Sequence, residues 1–376
     1  MIQPKEKVLV AMSGGINSST TAVLLKTQGY DVKGVFFQFR GPTTEKFESR
    51  CCRTVDQHGK GRLKEICKEI GISLYVIQAE SMFEDKVVDY VVHEYLRNNI
   101  PNPCVPCNSE VKFKLLIEKA DALGCQWIAT GHYAQISRDS GSGIAHLLKA
   151  ADLKKDETYF LFSLSQSVIQ RLLLPLGSLT GQMVKKIAEK INFKIEEKTN
   201  DPKVCFIEEP GYKDFMESRV PPSMRLPGIV RNLEGIVMGE HVGLFEYRLG
   251  QSSIIPHSDQ ANPQSIIGFD HISQSMIVGK DSLLIQKELK ATRVNWVRPM
   301  DRLHGFRCIA KLGPVHEEYP CQVTCFENQT VHVEFDQPLR AVSGGRPIVF
   351  YKNDDDEVLG GGYIESFGTK ESIGSE

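Results

Sequence analysis

Lys7-Val8-Leu9-Val10-Ala11-Met12-Ser13-Gly14-Gly15-Ile16-Asn17-Ser18-Ser19 reads as a strand, a glycine turn and the start of a helix. Lys7 to Ala11 is apolar and short enough for a buried strand, and Ala22, Val23, Leu24 and Leu25 give the following segment a helical apolar face that stops at Gly29. Val32 to Phe37 is the next apolar run, so the unit is βαβ. Between strand and helix the turn presents Gly14, Gly15, the hydroxyls of Ser13, Ser18 and Ser19, and open backbone N–H groups. Such a helix N-terminus binds anions, because unpaired donors and the helix dipole both point at the ligand. The spacing matches neither G-x-x-x-x-G-K-[ST] nor G-x-G-x-x-G.

Outward from this unit the first half keeps alternating. Ser73 to Ile77 and Gln126 to Thr130 are further strands; Gly61 to Ile70, Asp85 to Arg97 and Asn108 to Leu123 are helices between them. Alternation of this kind predicts an α/β, doubly wound parallel sheet, here over residues 1–209, with Ser165 to about Asn192 mostly helical. Residues 210–281 differ: Pro221-Pro222, Pro227-Gly228 and Gly235 cut them into short extended pieces, a small mixed domain. From Ser282 short strands alternate with turns: Leu283 to Gln286, Cys308 to Leu312, Cys321 to Cys325, Thr330 to Phe335 and Pro347 to Tyr351. These predict a C-terminal antiparallel β-barrel over 282–368. Residues 369–376 are polar and read as a disordered tail.

The 376 residues carry 41% hydrophobic and 24% charged side chains and a net charge of −2. That is the balance of an ordinary globular protein, which neither demands nor excludes a local basic face for nucleic acid. No apolar run approaches the ~20 residues that span a bilayer, and the N-terminus enters its first strand almost at once, so a cytoplasmic protein is expected. In that compartment the ten cysteines read as thiols, metal ligands or catalytic groups rather than structural disulfides.

Pro101-Asn102-Pro103-Cys104-Val105-Pro106-Cys107-Asn108 sets a Cys-x-x-Cys in a proline-stiffened loop before a helix. A thiol at a helix N-terminus has its thiolate stabilised, and Cys107 is expected nearest that terminus with Asn108 as its cap. The same pair could be half of a zinc site, but no second pair with matching spacing follows. Cys205, in Val204-Cys205-Phe206-Ile207, enters an apolar piece and by itself reads as a core cysteine. Cys51-Cys52 are read as bystanders, and Cys67, Cys125, Cys308, Cys321 and Cys325 as core packing.

The loop at Ser13 to Ser18 resembles the SGGxDS pyrophosphate loop of ATP-pyrophosphatases (PP-loop enzymes). With it in order come Pro-Asn-Pro-Cys-x-x-Cys-Asn, Ala129-Thr130-Gly131-His132-Tyr133-Ala134, Lys155-Asp156-Glu157-Thr158-Tyr159-Phe160-Leu161 and Val204-Cys205-Phe206-Ile207. Gly239-Glu240-His241-x-Gly243-Leu244 and Leu359-Gly360-Gly361-Gly362 follow. Together these resemble the bacterial tRNA-specific 2-thiouridylase family from about Lys7 to Glu365. The resemblance implies sulfur transfer to C2 of the tRNA wobble uridine, with ATP and Mg²⁺ as cofactors. It implies phosphates on Ala11, Met12, Ser13, Gly14, Gly15, Ile16, Asn17 and Ser18, adenine by the backbone of Phe37, and Gly131 closing the nucleotide site. Cys107 is implied as nucleophile and Cys205 as persulfide carrier, with a transient Cys107–Cys205 disulfide. Asn102, Pro103 and Cys104 would hold the base, and His132, Lys155, Asp156, Glu157, Gly313, Pro314 and Arg346 would lie at tRNA positions. His132 as a satisfied loop histidine is the plainer alternative.

Several positions depart from the family pattern. Asn17 stands for Asp, removing a carboxylate that could help hold Mg²⁺. Cys104 stands where many members carry Asp, so Cys104, Cys107 and Cys205 could instead ligate an iron–sulfur cluster. Gly250-Gln251-Ser252-Ser253-Ile254 lacks two cations of the family pattern, and Gly313-Pro314 replaces an Arg-Tyr pair, with Arg346 able to restore one phosphate contact. The implied partners are tRNA and a sulfur-donor protein such as a cysteine desulfurase or relay protein, with the enzyme a monomer. An ATP-pyrophosphatase acting on a small molecule, and a degenerate tRNA-binding paralogue, are the alternative readings.

Overall fold

The computed structural model describes residues 5–39, 57–190, 204–207, 212–222, 225–252, 264–298, 305–314, 317–326, 328–353 and 355–365. Cys51, Cys52, Asn192, Ser253, Ile254 and the 369–376 tail, singled out in the sequence, lie outside them.

The N-terminal unit runs β1 (Lys7–Ala11), α1 (Ile16–Thr27), β2 (Asp31–Gln38), α2 (Gln57–Ile70) and β3 (Ser73–Gln78). Next come α3 (Glu80–Phe83), a π-turn at Glu84–Val88, and α4 (Asp89–Leu96). α5 (Cys104–Pro106) follows, continued through a π-turn at Cys107–Lys112 into α6 (Phe113–Ala122) and β4 (Trp127–Ala129). A hairpin of β5 (Gln135–Arg138) and β6 (Ala145–Leu148), then α7 (Gln166–Ile169), β7 (Leu172–Leu173) and α8 (Gly181–Lys190), complete it. The sheet order is β3-β2-β1-β4-β7, every pairing parallel. In β1, Val8 and Val10 face one layer with Ala22, Leu25, Leu63 and Ile66, while Leu9 faces the other with Val87, Val91, Val111 and Leu116. A strand buried on both faces is therefore apolar throughout rather than alternating. Each fully buried aliphatic side chain of this kind contributes ~1.5–3 kcal/mol. Chain order reverses between β1 and β4, and in open α/β sheets the crevice at the carboxyl ends of such a pair takes the ligand.

Three sequence expectations need correction here. The helix drawn from Asn108 starts at Cys104 instead, because Pro103 can open a helix and Asn102 Oδ1 accepts the Cys104 N–H at 3.0 Å. The stretch from Ser165 is not mostly helical: Leu172–Leu173 pairs with β4 as the fifth strand. The β5–β6 hairpin was not anticipated at all.

A central piece follows, with α9 (Tyr212–Arg219) and a sheet of β8 (Gly228–Arg231), β9 (Val237–His241), β10 (Gln264–Asp270) and β11 (Ser275–Lys280) in the order β10-β11-β8-β9. The last unit is a closed antiparallel barrel: β12 (Ile285–Trp296), β13 (Phe306–Lys311), β14 (Tyr319–Phe326), β15 (Thr330–Arg340), β16 (Pro347–Tyr351) and β17 (Val358–Ile364). The strand expected at Leu283 to Gln286 is a 3-10 turn at Asp281–Leu284 running into β12, which continues to Trp296, and β17 was missed because its Gly360-Gly361-Gly362 depresses strand propensity. Glycine is required there by close approach. A Cβ on Gly361 would stand 2.5 Å from the Ile348 carbonyl oxygen and 2.7 Å from the Phe162 ring.

Phe162 belongs to the N-terminal unit, so that approach also joins the two. Tyr159 OH donates to the Pro347 carbonyl at 2.8 Å, Asn295 Nδ2 to the Phe162 carbonyl at 2.7 Å, and Lys149 Nζ meets Glu318 at 2.8 Å. Val297, Val349, Tyr351 and Val358 of the barrel share one apolar cluster with Leu147, Tyr159 and Phe162. The barrel is fixed against the sheet unit rather than tethered to it.

Candidate nucleotide and thiol site

At the carboxyl end of β1 the chain turns through Ser13, Gly14 and Gly15 into α1. Gly14 has φ +73°, the left-handed region open to glycine. Gly15 is the N-cap, no side chain caps the helix, and its first turn holds no acidic residue. The first N–H groups of α1 thus face the crevice with no carboxylate in the first turn to neutralise the positive end of the dipole or repel an anion. The loop is held by its own serines: Ser13 N–H donates to Ser18 Oγ at 3.1 Å, and Ser18 Oγ donates to the Gly15 carbonyl at 3.2 Å. Met12 N–H donates to the Val35 carbonyl at 2.7 Å, tying the strand end to β2. Phe37 lies two residues farther along β2 than Val35, the register partner of Ala11, with its side chain in the core.

Beyond β4, Thr130-Gly131-His132-Tyr133 comes back over the start of α1. A Cβ on Gly131 would fall 2.8 Å from the Asn17 carbonyl carbon and 2.9 Å from the Ser18 nitrogen. Tyr133 OH donates to Asn17 Oδ1 at 3.5 Å. Ala11 to Ser18, Gly131 and the end of β2 therefore converge, as a nucleotide site at the β1/β4 crevice requires.

The cysteine side is built by α5 and its π-turn. Cys104 is exposed at the first residue of the helix, whereas Cys107 is buried one turn inside it, its N–H donating to the Pro103 carbonyl at 3.1 Å. Asn108 does not cap: its Nδ2 donates to the Phe160 carbonyl at 3.1 Å. The expectation that Cys107 sits at the helix terminus is thus overturned, because the prolines at 103 and 106 tolerate the first helical turn instead of preceding it. Cys205 is half-buried and packs on the same apolar cluster that contains Cys107. Its neighbour Phe206 meets Phe83 edge-on at 5.6 Å. Among the described residues no group of three His, Cys, Asp or Glu side chains stands where it could hold a metal ion.

Between the two sides lie His132 and Glu157. His132 Nδ1 bonds Thr130 Oγ1 at 2.7 Å and its ring stacks on Phe113 at 6.1 Å. Burial, helped by the Lys112 cation, pushes its pKa down to about 3, so it is a neutral, satisfied imidazole. Glu157 Oε2 accepts the Tyr133 N–H at 2.9 Å, and its own N–H donates to the Tyr133 carbonyl at 2.9 Å. Burial pushes this carboxyl up to about 7, against the Tyr133 N–H and Lys112, which favour the ionised form. Asp156 is committed to the loop: its oxygens accept from Ala150 N–H at 3.0 Å and Thr158 Oγ1 at 2.7 Å. Lys155 packs beside Gly181.

Gly313 and Pro314 form an open turn after β13, and Arg346, at the entry to β16, lies close to both Tyr159 and Tyr319. Lys112 and Tyr133 are site residues the sequence reading passed over. Tyr133 lies inside a quoted motif, but only the return over Asn17 gives it a role. Lys112, the last residue of the π-turn, lies near enough to His132 and Glu157 to bias both.

Comparison with known proteins identifies the family. The family model described as tRNA methyl transferase HUP domain matches residues 6–209, and the one described as aminomethyltransferase beta-barrel domain matches residues 286–364. The tRNA-specific 2-thiouridylase MnmA of Geobacter metallireducens is 38% identical over 96% of this chain and 97% of its own length. That of Lacticaseibacillus paracasei is 37% identical over 96% and 94%, and that of Streptococcus sanguinis 37% over 96% and 95%. A solved 4-thiouridine synthetase, in complex with RNA and bound ATP, covers 50% of this chain and 40% of its own at 16% identity. Its TM-score of 0.32 is too low to relate individual residues.

Proposed function

The chain belongs to the tRNA-specific 2-thiouridylase family and is a tRNA-uridine 2-sulfurtransferase; for its mechanism, we propose that the β1/β4 crevice activates the wobble uridine with ATP and that Cys107 and Cys205 then deliver sulfur. The observation that carries this reading is the uncapped, carboxylate-free start of α1 against Gly131, with the helix that carries Cys107 continuing to Phe113, whose ring stacks on His132 beside Gly131.

ATP lies with its phosphates against residues 11–18, where charge-assisted bonds to backbone N–H are worth ~1.5–3 kcal/mol each. The uridine O2 attacks the α-phosphorus: an O–P bond forms, the bond to pyrophosphate breaks, and the base gives up its N3 proton. C2 now carries AMP as a good leaving group. A persulfide on Cys205, loaded by a donor protein such as a cysteine desulfurase or relay protein, presents its terminal sulfur. In one course that sulfur attacks C2, forming C2–S as the C2–O bond to AMP breaks. Cys107 thiolate then attacks Cys205 Sγ, breaking the S–S bond, leaving 2-thiouridine and a Cys107–Cys205 disulfide. In the other, Cys107 frees the sulfur before it reaches C2. A cellular thiol reduces the disulfide in the next cycle.

Mg²⁺ would accompany the ATP phosphates and neutralise their charge. The loop itself offers only the neutral Asn17, whose amide oxygen can accept from a metal-bound water. Cys104, Cys107 and Cys205 differ in burial, from exposed to core, which favours the persulfide pair over an iron–sulfur cluster and supports no step through one. Asn102, Pro103 and Cys104 at the helix entry would hold the base. His132, Lys155 and Glu157 would border it, and Gly313, Pro314 and Arg346 on the barrel would meet the tRNA backbone. No described helix is long and apolar enough to cross a membrane; a cytoplasmic monomer is part of the proposal. Mass spectrometry of tRNA from a deletion strain tests the function: 2-thiouridine disappears, and an unchanged level contradicts it.

A further inference from the structure

Tyr351 of β16 is fully buried, yet its hydroxyl reaches out of the barrel and stands 3.1 Å from Thr158 Oγ1 of the N-terminal unit. Thr158, also fully buried, donates its hydroxyl to Asp156 Oδ2 at 2.7 Å. A hydroxyl carries a single proton, so the Tyr351 hydroxyl is the donor in the bond to Thr158. Burial holds the Tyr351 phenol well above its ordinary range, which keeps that proton in place. The ring sits at the same seam, with the Lys149 and Lys311 ammoniums each 4.9 Å from its centre. Both lysines also meet Glu318, at 2.8 and 3.5 Å.

From Asp156 the bonding runs on toward the crevice. Its other oxygen accepts the Ala150 N–H at 3.0 Å, so the carboxylate is held at both ends. The next residue, Glu157, is bonded twice to Tyr133: its N–H donates to the Tyr133 carbonyl and its Oε2 accepts the Tyr133 N–H, both at 2.9 Å. Tyr133 lies two residues past Gly131, whose backbone is so near α1 that a Cβ would stand 2.8 Å from the Asn17 carbonyl carbon and 2.9 Å from the Ser18 nitrogen. The Tyr133 hydroxyl also donates to Asn17 Oδ1 at 3.5 Å. A continuous series of bonds thus leads from a barrel residue to the first turn of α1, and consecutive O–H bonds ending on a carboxylate strengthen one another. Asn295 joins the same two units differently: its Nδ2 donates to the Phe162 and Leu164 carbonyls, at 2.7 and 3.2 Å, beyond this segment.

Resting on the proposed nucleotide role of the β1/β4 crevice, we propose that Tyr351 is a positioning residue for the ATP site: through Thr158, Asp156 and Glu157, the barrel sets how the 131–133 segment sits on the start of α1. The barrel then belongs to the activating half of the enzyme as well as to its tRNA-facing surface. Loss of the Tyr351 hydroxyl leaves Thr158 bonded to Asp156 but cuts the tie to the barrel. Loss of the Thr158 hydroxyl removes both bonds.

The test is calorimetric titration of the full-length protein with ATP, alongside a thermal scan of each variant. Tyr351→Phe, which deletes one oxygen and keeps the ring, should lower ATP affinity about threefold, and Thr158→Val about tenfold. Because the two residues act through one bond, Tyr351→Phe added to Thr158→Val should cost nothing further. Asn295→Ala is the control: it loosens the same seam and lowers the melting temperature, yet should bind ATP as the wild type does. Wild-type ATP affinity in Tyr351→Phe, additive losses in the double variant, or an equal loss in Asn295→Ala overturns the inference. Failure of the underlying nucleotide reading looks different: Gly131→Ala would then bind ATP as tightly as the wild type.

Discussion

Gly131→Ala is the substitution whose effect can be worked through from atoms. The new methyl would stand 2.8 Å from the Asn17 carbonyl carbon, 2.9 Å from the Ser18 nitrogen and 3.0 Å from Asn17 Cβ. Two of the three are backbone, so no rotamer change relieves them, and either the 130–133 segment or the first turn of α1 must move. Overpacking of this kind costs ~1–3 kcal/mol. Part appears as lost stability, ~2–4 °C in melting temperature per kcal/mol for a unit of this size. The rest appears in nucleotide binding, because moving α1 misaims the N–H groups that hold the phosphates. With 1.4 kcal/mol for each factor of ten, and about half of the cost falling on binding, ATP affinity should drop by roughly two- to tenfold. Calorimetric titration with ATP and a thermal scan measure both parts, while tRNA binding in a filter assay should stay unchanged. Wild-type ATP affinity together with an unshifted melting temperature would refute the placement of Gly131 over the phosphate loop.

Asn17→Asp restores a carboxylate 3.5 Å from the Tyr133 hydroxyl and should raise the rate of pyrophosphate exchange into ATP and steepen its dependence on Mg²⁺; no change in either would place the metal elsewhere. Glu157, raised to about 7 from an unfolded value of ~4.3, contributes stability that is full below ~4.3 and lost as pH rises through about 7. Denaturant midpoints between those limits should therefore fall with pH, and Glu157→Gln should flatten the fall; an equally steep fall in the variant would rule out Glu157 as its source. Arg346→Gln should weaken tRNA binding and lower the slope of log affinity against log salt by about one, and an unchanged slope would remove Arg346 from the phosphate contacts.

The parallel sheet was legible because doubly buried strands such as Val8-Leu9-Val10 are continuous apolar runs, and the β1 loop because its glycines and serines fall between a strand and a helix. β17 was hidden by the three glycines that let it approach Phe162, and the β5–β6 hairpin because Gln135–Arg138 shows little apolar character. The thiol helix was misread by four residues, since proline is usually taken to end a helix and here begins one. That shift matters chemically: it moves Cys107 one turn inside the helix. His132 and Asp156, which the resemblance marks as tRNA positions, also have structural partners that only the fold reveals: Phe113 under the His132 ring, and Ala150 and Thr158 on the Asp156 carboxylate.

The account rests on two separable halves, an activating loop on β1–α1 and a sulfur-carrying pair at Cys107 and Cys205. Purified Cys107→Ser protein given tRNA, ATP and labelled pyrophosphate distinguishes them. Exchange of label into ATP should persist at the wild-type rate while 2-thiouridine, measured by mass spectrometry of the same tRNA, is not formed. Thiolation by the variant, or loss of exchange in a variant that melts normally, would contradict it.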